Sequence, residues 1–143
     1  MPDLVKDLKY TKEEIEAPVD ERATFIFKGG EEEGLKRLMN YIWETKSLAD
    51  YGTTRNQLSG ENFSSKLSPW FAVGALSPRS AYFMARSFEE KHGHKESVKA
   101  FINELFWRDF HRLWCLRHGT KVFTPYGVYD RTQYKWKTNE KII

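Results

Sequence analysis

An unbroken helical stretch from about Glu96 to His118 constrains the fold more than any other segment. It contains neither proline nor glycine, and it stops at Gly119, a residue suited to closing a helix. Its apolar arc is expected at Val98, Ile102, Leu105, Phe106, Leu113 and Leu116. Such an element needs helical neighbours, and the sequence supplies them. From Glu31, residues Leu35, Leu38, Met39 and Ile42 recur at i, i+3, i+4, i+7, behind acids that suit the positive end of a helix dipole. Ser68-Pro69 opens a short apolar helix over 68–76, and Ser77-Pro78 opens another over about 78–91 that stops near Gly93. No strand is convincing, so the expected class is all-α.

The remainder is connective. Residues 1–28 are charged, carry Pro2 and Pro18, and read as a linker or tail, with one short helix near Lys12–Glu16 where Thr11 and Glu14 fit a capping box. Residues 47–63 are polar and turn-like, and residues 119–143 lack periodicity. The 143 residues suit one domain or part of a larger one, and five Trp, seven Tyr and ten Phe are enough for a core. A net charge of +3 does not by itself argue for nucleic acid. One cysteine, Cys115, excludes an intrachain disulfide framework. The longest apolar stretch, Trp70 to Leu76, is far short of the ~20 residues of a membrane span, and the polar start lacks a signal-peptide core. The expectation is a soluble intracellular chain with no membrane contact, its compartment (nucleus, organelle or cytoplasm) open.

Two blocks carry chemistry. Ser64, Ser65 and Ser68, with Lys66 between them, precede a helix start, where outward-pointing N–H groups bind anions. Hydroxyls and an ammonium there suit a phosphate-bearing cofactor. The simpler reading is that Ser68 caps the helix and the other serines are loop. The second block lies on the long helix. Glu104, Trp107, Arg108 and His111 share a side by their spacing, and Phe101 joins them. Indole stacks on bases or ring cofactors, a carboxylate hydrogen-bonds a base edge or moves a proton, and a guanidinium grips phosphate. The simpler reading is a surface with an i,i+4 Glu104–Arg108 ion pair.

Other groups read as structural. Asp109 falls inside the apolar arc and needs a cationic partner such as Arg112. Cys115 reads as a small buried hydrophobe, and His92, His94 and His118 as surface or capping groups without metal-ligand spacing, so no metal site is expected. Arg55, Lys66, Arg79, Arg108 and Arg112 form either a phosphate track or scattered surface charge.

Read in order, these segments resemble a known family. Gly29-Gly30-Glu31 with Leu35-Lys36-Arg37-Leu38, then Tyr51 and Thr53-Thr54-Arg55-Asn56, look like the start of the flavin domain of photolyases and cryptochromes. So do Phe63-Ser64-Ser65-Lys66-Leu67-Ser68-Pro69-Trp70, Gly74-Ala75-Leu76-Ser77-Pro78-Arg79 and Asn103-Glu104-Leu105-Phe106-Trp107-Arg108-Asp109-Phe110. The Thr-Arg-Asn, Ser-Pro-Trp and Trp-Arg-Asp-Phe details look most like the DASH type.

The resemblance implies that residues 29–143 are the N-terminal part of an all-helical FAD-binding domain. It implies FAD contacts from Tyr51, Ser64, Ser65, Lys66, Leu67, Ser68, Phe101, Glu104, Arg108 and His111. Glu104 and Trp107 would face a pyrimidine dimer flipped out of DNA, single-stranded or damaged, as hydrogen-bond partner and stacking wall. The activity implied is flavin-dependent, blue-light-driven cleavage of cyclobutane dimers, a carbon–carbon lyase reaction by a monomer. A blue-light photoreceptor is the alternative. An antenna pigment such as a folate is implied for a full-length parent alone. Phe101 stands where many relatives have Trp. Members also carry an N-terminal α/β domain and further C-terminal helices, so the isolated chain is expected to be an inactive fragment with half a flavin pocket.

Overall fold

In the computed structural model, described residues are 11, 20–58 and 60–129. Helix α1 spans Glu31–Met39 and runs into a wide π-type turn at Asn40–Glu44. A 3-10 turn at Ser47–Asp50 leads into the single-turn helix α2, Tyr51–Thr54. Helices α3 (Ser68–Ala72), α4 (Pro78–His92) and α5 (Lys95–His118) follow, and a 3-10 turn at Gly119–Phe123 comes last. Among the described residues there is no strand, so the all-α expectation holds. The helix expected near Lys12–Glu16 and the segment 130–143 lie outside them.

Helices α4 and α5 pack against each other. Pro78 starts α4, where its missing N–H costs nothing. Ala81, Ala85 and Phe88 recur at i, i+4, i+7 and are buried. The two alanines let α5 approach closely, and its Val98, Ile102 and Leu105 complete the contact layer. Gly93 (φ +80°) and His94 (φ +57°) reverse the chain between the two helices.

Several expectations change. On α1 the buried positions are Gly34, Arg37 and Leu38, while Leu35 and Met39 are 38% and 43% exposed. Tyr41 and Ile42, in the π-type turn, continue the same stripe at i+7 and i+8 from Gly34 and enter the core beside Leu38. The apolar segment expected as a helix over 68–76 is helical only to Ala72. The chain then turns at Gly74 (φ +75°), and the Leu76 N–H donates to the Trp70 carbonyl at 3.2 Å. The stretch 47–63, expected as polar turn, buries Leu48 and Tyr51 against α5.

The arc of α5 differs most. Val98, Phe101, Ile102 and Leu105 are buried, but Phe106, Leu113 and Leu116 are 61%, 66% and 77% exposed. Neighbouring helices cover only the first half of α5. Asp109, expected inside the arc, has a solvent-facing carboxylate paired with Arg108 at 2.6 Å, not with Arg112. Phe101, expected beside the arc, belongs to the core.

Candidate functional site

The turn that precedes α3 is built around a buried cation. Arg37 Nε donates to the Ser65 carbonyl at 2.9 Å, and Nη2 donates to the carbonyls of Glu61 (2.9 Å) and Ser64 (3.4 Å). Its Nη1 donates to Asn62 Oδ1 (3.0 Å) and Asn40 Oδ1 (3.3 Å). Thr54 Oγ1 fixes the same turn from α2 by donating to the Phe63 carbonyl at 2.8 Å. Lys66 adopts φ +58°, a conformation disfavoured for a residue with a Cβ, and its Nζ reaches Ser64 Oγ at 3.2 Å. Leu67 anchors the far side of the turn in the core. Ser68 does not cap α3: the capping position is Leu67, and no side-chain capping bond forms.

Helix α5 faces this turn across a cavity of about 440 Å³. Tyr51, Ser64, Ser65, Lys66, Leu67, Ser68, Phe101, Glu104 and Arg108 all line it, with Phe27, Phe71, Ala72 and Leu105. Phe101 meets Tyr51 edge to face at 5.5 Å between centroids. Glu104 and Arg108 do not pair with each other. Glu104 pairs with Arg55 beyond α2, while Arg108 binds Asp109 and donates from Nη2 to the Phe71 carbonyl at 3.3 Å. The expected i,i+4 ion pair is therefore replaced by contacts that each partner makes elsewhere.

The stripe itself divides. Trp107 is 55% exposed and lies outside the cavity, over a shallow depression with Asn103, Phe106 and Phe110. His111 stacks on Trp107 at 5.7 Å with an interplanar angle of 27° and does not line the cavity either. At a rise of 1.5 Å per residue, His111 stands about 10 Å along the axis from Glu104, beyond the reach of the serine turn.

Curated relatives agree with this architecture. The chain is 42% identical over 125 residues to a chloroplastic/mitochondrial cryptochrome DASH of Ostreococcus tauri, covering 87% of this chain and 23% of that protein. It is 38% identical over 127 residues to the cryptochrome DASH of Danio rerio, covering 88% of this chain and 24% of that protein. The crystal structure of a Synechocystis cryptochrome superposes with a TM-score of 0.82 at 38% identity, over 87% of this chain and 26% of that one. The chain belongs to the cryptochrome/photolyase family. It is of the DASH type and spans about a quarter of the length of the cryptochromes it matches. No protein-family model matches it.

Electrostatics in this cryptochrome segment follow from burial. The Tyr51 phenol is pushed above its ordinary value, first by burial and then by the Glu104 carboxylate, against the opposing influence of Arg55. Tyr51 therefore faces the cavity as a neutral hydroxyl. Arg108 lines both this cavity and a neighbouring cleft between Phe71–Gly74 and Arg112, which joins two of the expected basic residues; Arg79 lines neither. Among the described residues no group of His, Cys, Asp and Glu is placed to hold a metal, and no helix is long and apolar enough to cross a membrane. His92 packs on Phe88 at 4.9 Å, and Cys115 is only half-buried. Sequence reasoning missed Arg37 as part of the site. Its partners are mostly carbonyls, which leave no mark in a sequence.

Proposed function

We propose that the cavity between the serine turn and α5 holds the phosphate-bearing part of FAD. On this reading the chain serves a blue-light-driven photolyase that splits cyclobutane pyrimidine dimers in damaged or single-stranded DNA. The observation that carries the reading is the convergence on one cavity of three serines, Lys66, Arg108 and Tyr51, with Phe101, Leu105 and Phe71 as apolar walls. Hydroxyl, amide and cationic donors beside flat apolar surface suit a dinucleotide, whose phosphates need charge and donors and whose rings need contact area.

The residues then divide by role. Ser64, Ser65, Lys66, Leu67 and Ser68 bind the phosphates by hydroxyl, backbone N–H and ammonium. Tyr51 donates its phenol, Arg108 adds positive charge, and Phe101 gives ring contact. Glu104 offers a carboxylate to the donor edge of an extruded pyrimidine, with Arg55, its ion-pair partner, orienting it. Trp107 presents its exposed face for stacking, and His111, stacked on it, fixes the indole plane. A bound reduced flavin supplies the photoexcited electron that opens the cyclobutane ring and returns. Damaged bases unstack cheaply, which favours their extrusion toward Glu104 and Trp107.

The test takes the natural product of the gene that encodes these residues. It is mixed with an oligonucleotide bearing one thymine dimer, single-stranded and duplex, and illuminated with blue light. Light-dependent loss of the dimer is expected, and Glu104→Ala should slow it by roughly tenfold or more, the scale of one lost hydrogen bond to a charged group. Absence of repair in both substrates would overturn the enzyme reading. Light-induced partner binding without affinity for damaged DNA at low salt would establish the photoreceptor instead.

A further inference from the structure

We propose that Arg37 is the positioning residue of this cavity. Its guanidinium holds the turn 61–65 so that the backbone N–H groups of Ser65 and Lys66 face the phosphate site. Arg37 is 5% exposed, and its side chain does not line the cavity. A guanidinium carries five N–H donors in a rigid planar fork. Here it makes five hydrogen bonds, three of them to the carbonyls of Glu61, Ser64 and Ser65. The rings of Phe25 and Tyr41 lie at 4.8 and 5.4 Å from its central carbon and keep the fork in place.

The consequence follows from peptide geometry. In a planar trans peptide the C=O and the next N–H point in opposite directions. The Ser64 and Ser65 carbonyls point at Arg37, so the N–H groups of Ser65 and Lys66 point away from it. Neither N–H has an acceptor among the described residues. Lys66 at φ +58° followed by Leu67 at φ −86° is a turn conformation of the kind that gathers successive N–H groups into an anion-binding concavity, here from the Lys66 N–H onward. Such a conformation at a lysine persists only where surrounding contacts impose it. Arg37 supplies those contacts without touching the ligand. The effect on a cofactor rests on the flavin reading above; the effect on the turn does not.

Two measurements on the natural product of the gene that encodes these residues separate these effects. Native-state trypsin digestion, read by mass spectrometry, reports opening of the turn at the Lys66–Leu67 bond, with cleavage at Arg86 in α4 as the internal control. Arg37→Gln should speed cleavage at Lys66 at least tenfold and leave Arg86 unchanged. Arg37→Lys should not restore protection, because an ammonium cannot reach the same five acceptors. Asn62→Ala removes one acceptor from the same fork and keeps α1 intact, so it should give a smaller rise even if Arg37→Gln fails to fold. Titration with FAD and with riboflavin, which lacks the pyrophosphate, reports ligand positioning. Arg37→Gln should weaken FAD about tenfold and leave riboflavin unchanged.

Unchanged cleavage at Lys66 in the Arg37 and Asn62 variants would overturn the proposal, as would equal weakening of both ligands. If the turn opens as expected but the unsubstituted natural gene product takes up neither ligand, the flavin reading falls and the hold of Arg37 on the turn stands.

Discussion

Replacing Gly34 by alanine sets two effects of known size against each other. Gly34 lies inside α1, where alanine is favoured over glycine by about 0.8–1.0 kcal/mol. A Cβ at this backbone would stand 3.0 Å from Trp70 Cδ1 and 3.1 Å from Cγ. The indole would have to retreat by a few tenths of an ångström. It is poorly placed to do so: Trp70 is 4% exposed, its N–H donates to the Lys28 carbonyl at 3.0 Å, and Phe27 lies 5.5 Å away by centroid. Overpacking of this kind costs about 1–3 kcal/mol. The clash outweighs the propensity, and Gly34→Ala should destabilise by about 1 kcal/mol, or roughly 4 °C in Tm for a domain near this size. Thermal melts followed by circular dichroism at 222 nm measure it. Trp70→Leu removes the obstacle, so Gly34→Ala in that background should raise Tm. A single Gly34→Ala variant melting at or above the parent, or additive effects of the two changes, would refute the reasoning.

Further expectations follow from burial. The Tyr41 hydroxyl is buried without a hydrogen-bond partner, so Tyr41→Phe should raise stability in urea by about 1 kcal/mol. The Tyr41 and Tyr51 phenols are both raised by burial above their ordinary value near 10, so the folded state binds more protons than the unfolded state above that pH. Their contribution is fully present below pH about 10 and is lost as pH rises beyond it, which urea midpoints between pH 8 and 11 should trace. The Arg55–Glu104 pair is 35% and 45% exposed in its side chains, so Glu104→Gln should change stability by less than about 1 kcal/mol and leave the melting curve nearly unmoved.

Sequence pattern located the elements better than their faces. The ends of α4 and α5 at Gly93 and Gly119 were legible because a helix stop has a local cause, a residue that tolerates positive φ. The serine turn was legible as a donor cluster, and its neighbours in the cavity were named through the family resemblance. The arc of α5 was not legible. Beyond Leu105 the apolar and aromatic side chains Phe106, Trp107, Phe110, Leu113, Trp114 and Leu116 spread over half of the helix, and an apolar pattern does not say whether a neighbour covers it; among the described residues most of it is exposed. Asp109 was misplaced for the same reason. The phase of α1 was hidden because two of its buried positions are Gly34 and Arg37, which carry no apolar signal, while the apolar Leu35 and Met39 lie off that stripe. Arg37 entered the sequence reading only as part of the Leu35-Lys36-Arg37-Leu38 string. Its role depends on carbonyls contributed by a loop far along the chain, and every residue type carries a carbonyl.

Helix α5 runs about 36 Å at 1.5 Å per residue, and its burial ends near Leu105, less than halfway along. Its amides should consequently exchange with solvent on two clocks. Those from Val98 to Leu105 open only with the core, whereas those from Phe110 to His118 open by local fraying at far lower free energy. Glu104, Trp107 and Arg108 sit at the crossover. The residues proposed for chemistry thus ride on the last rigid turn of a helix whose far end is free to breathe.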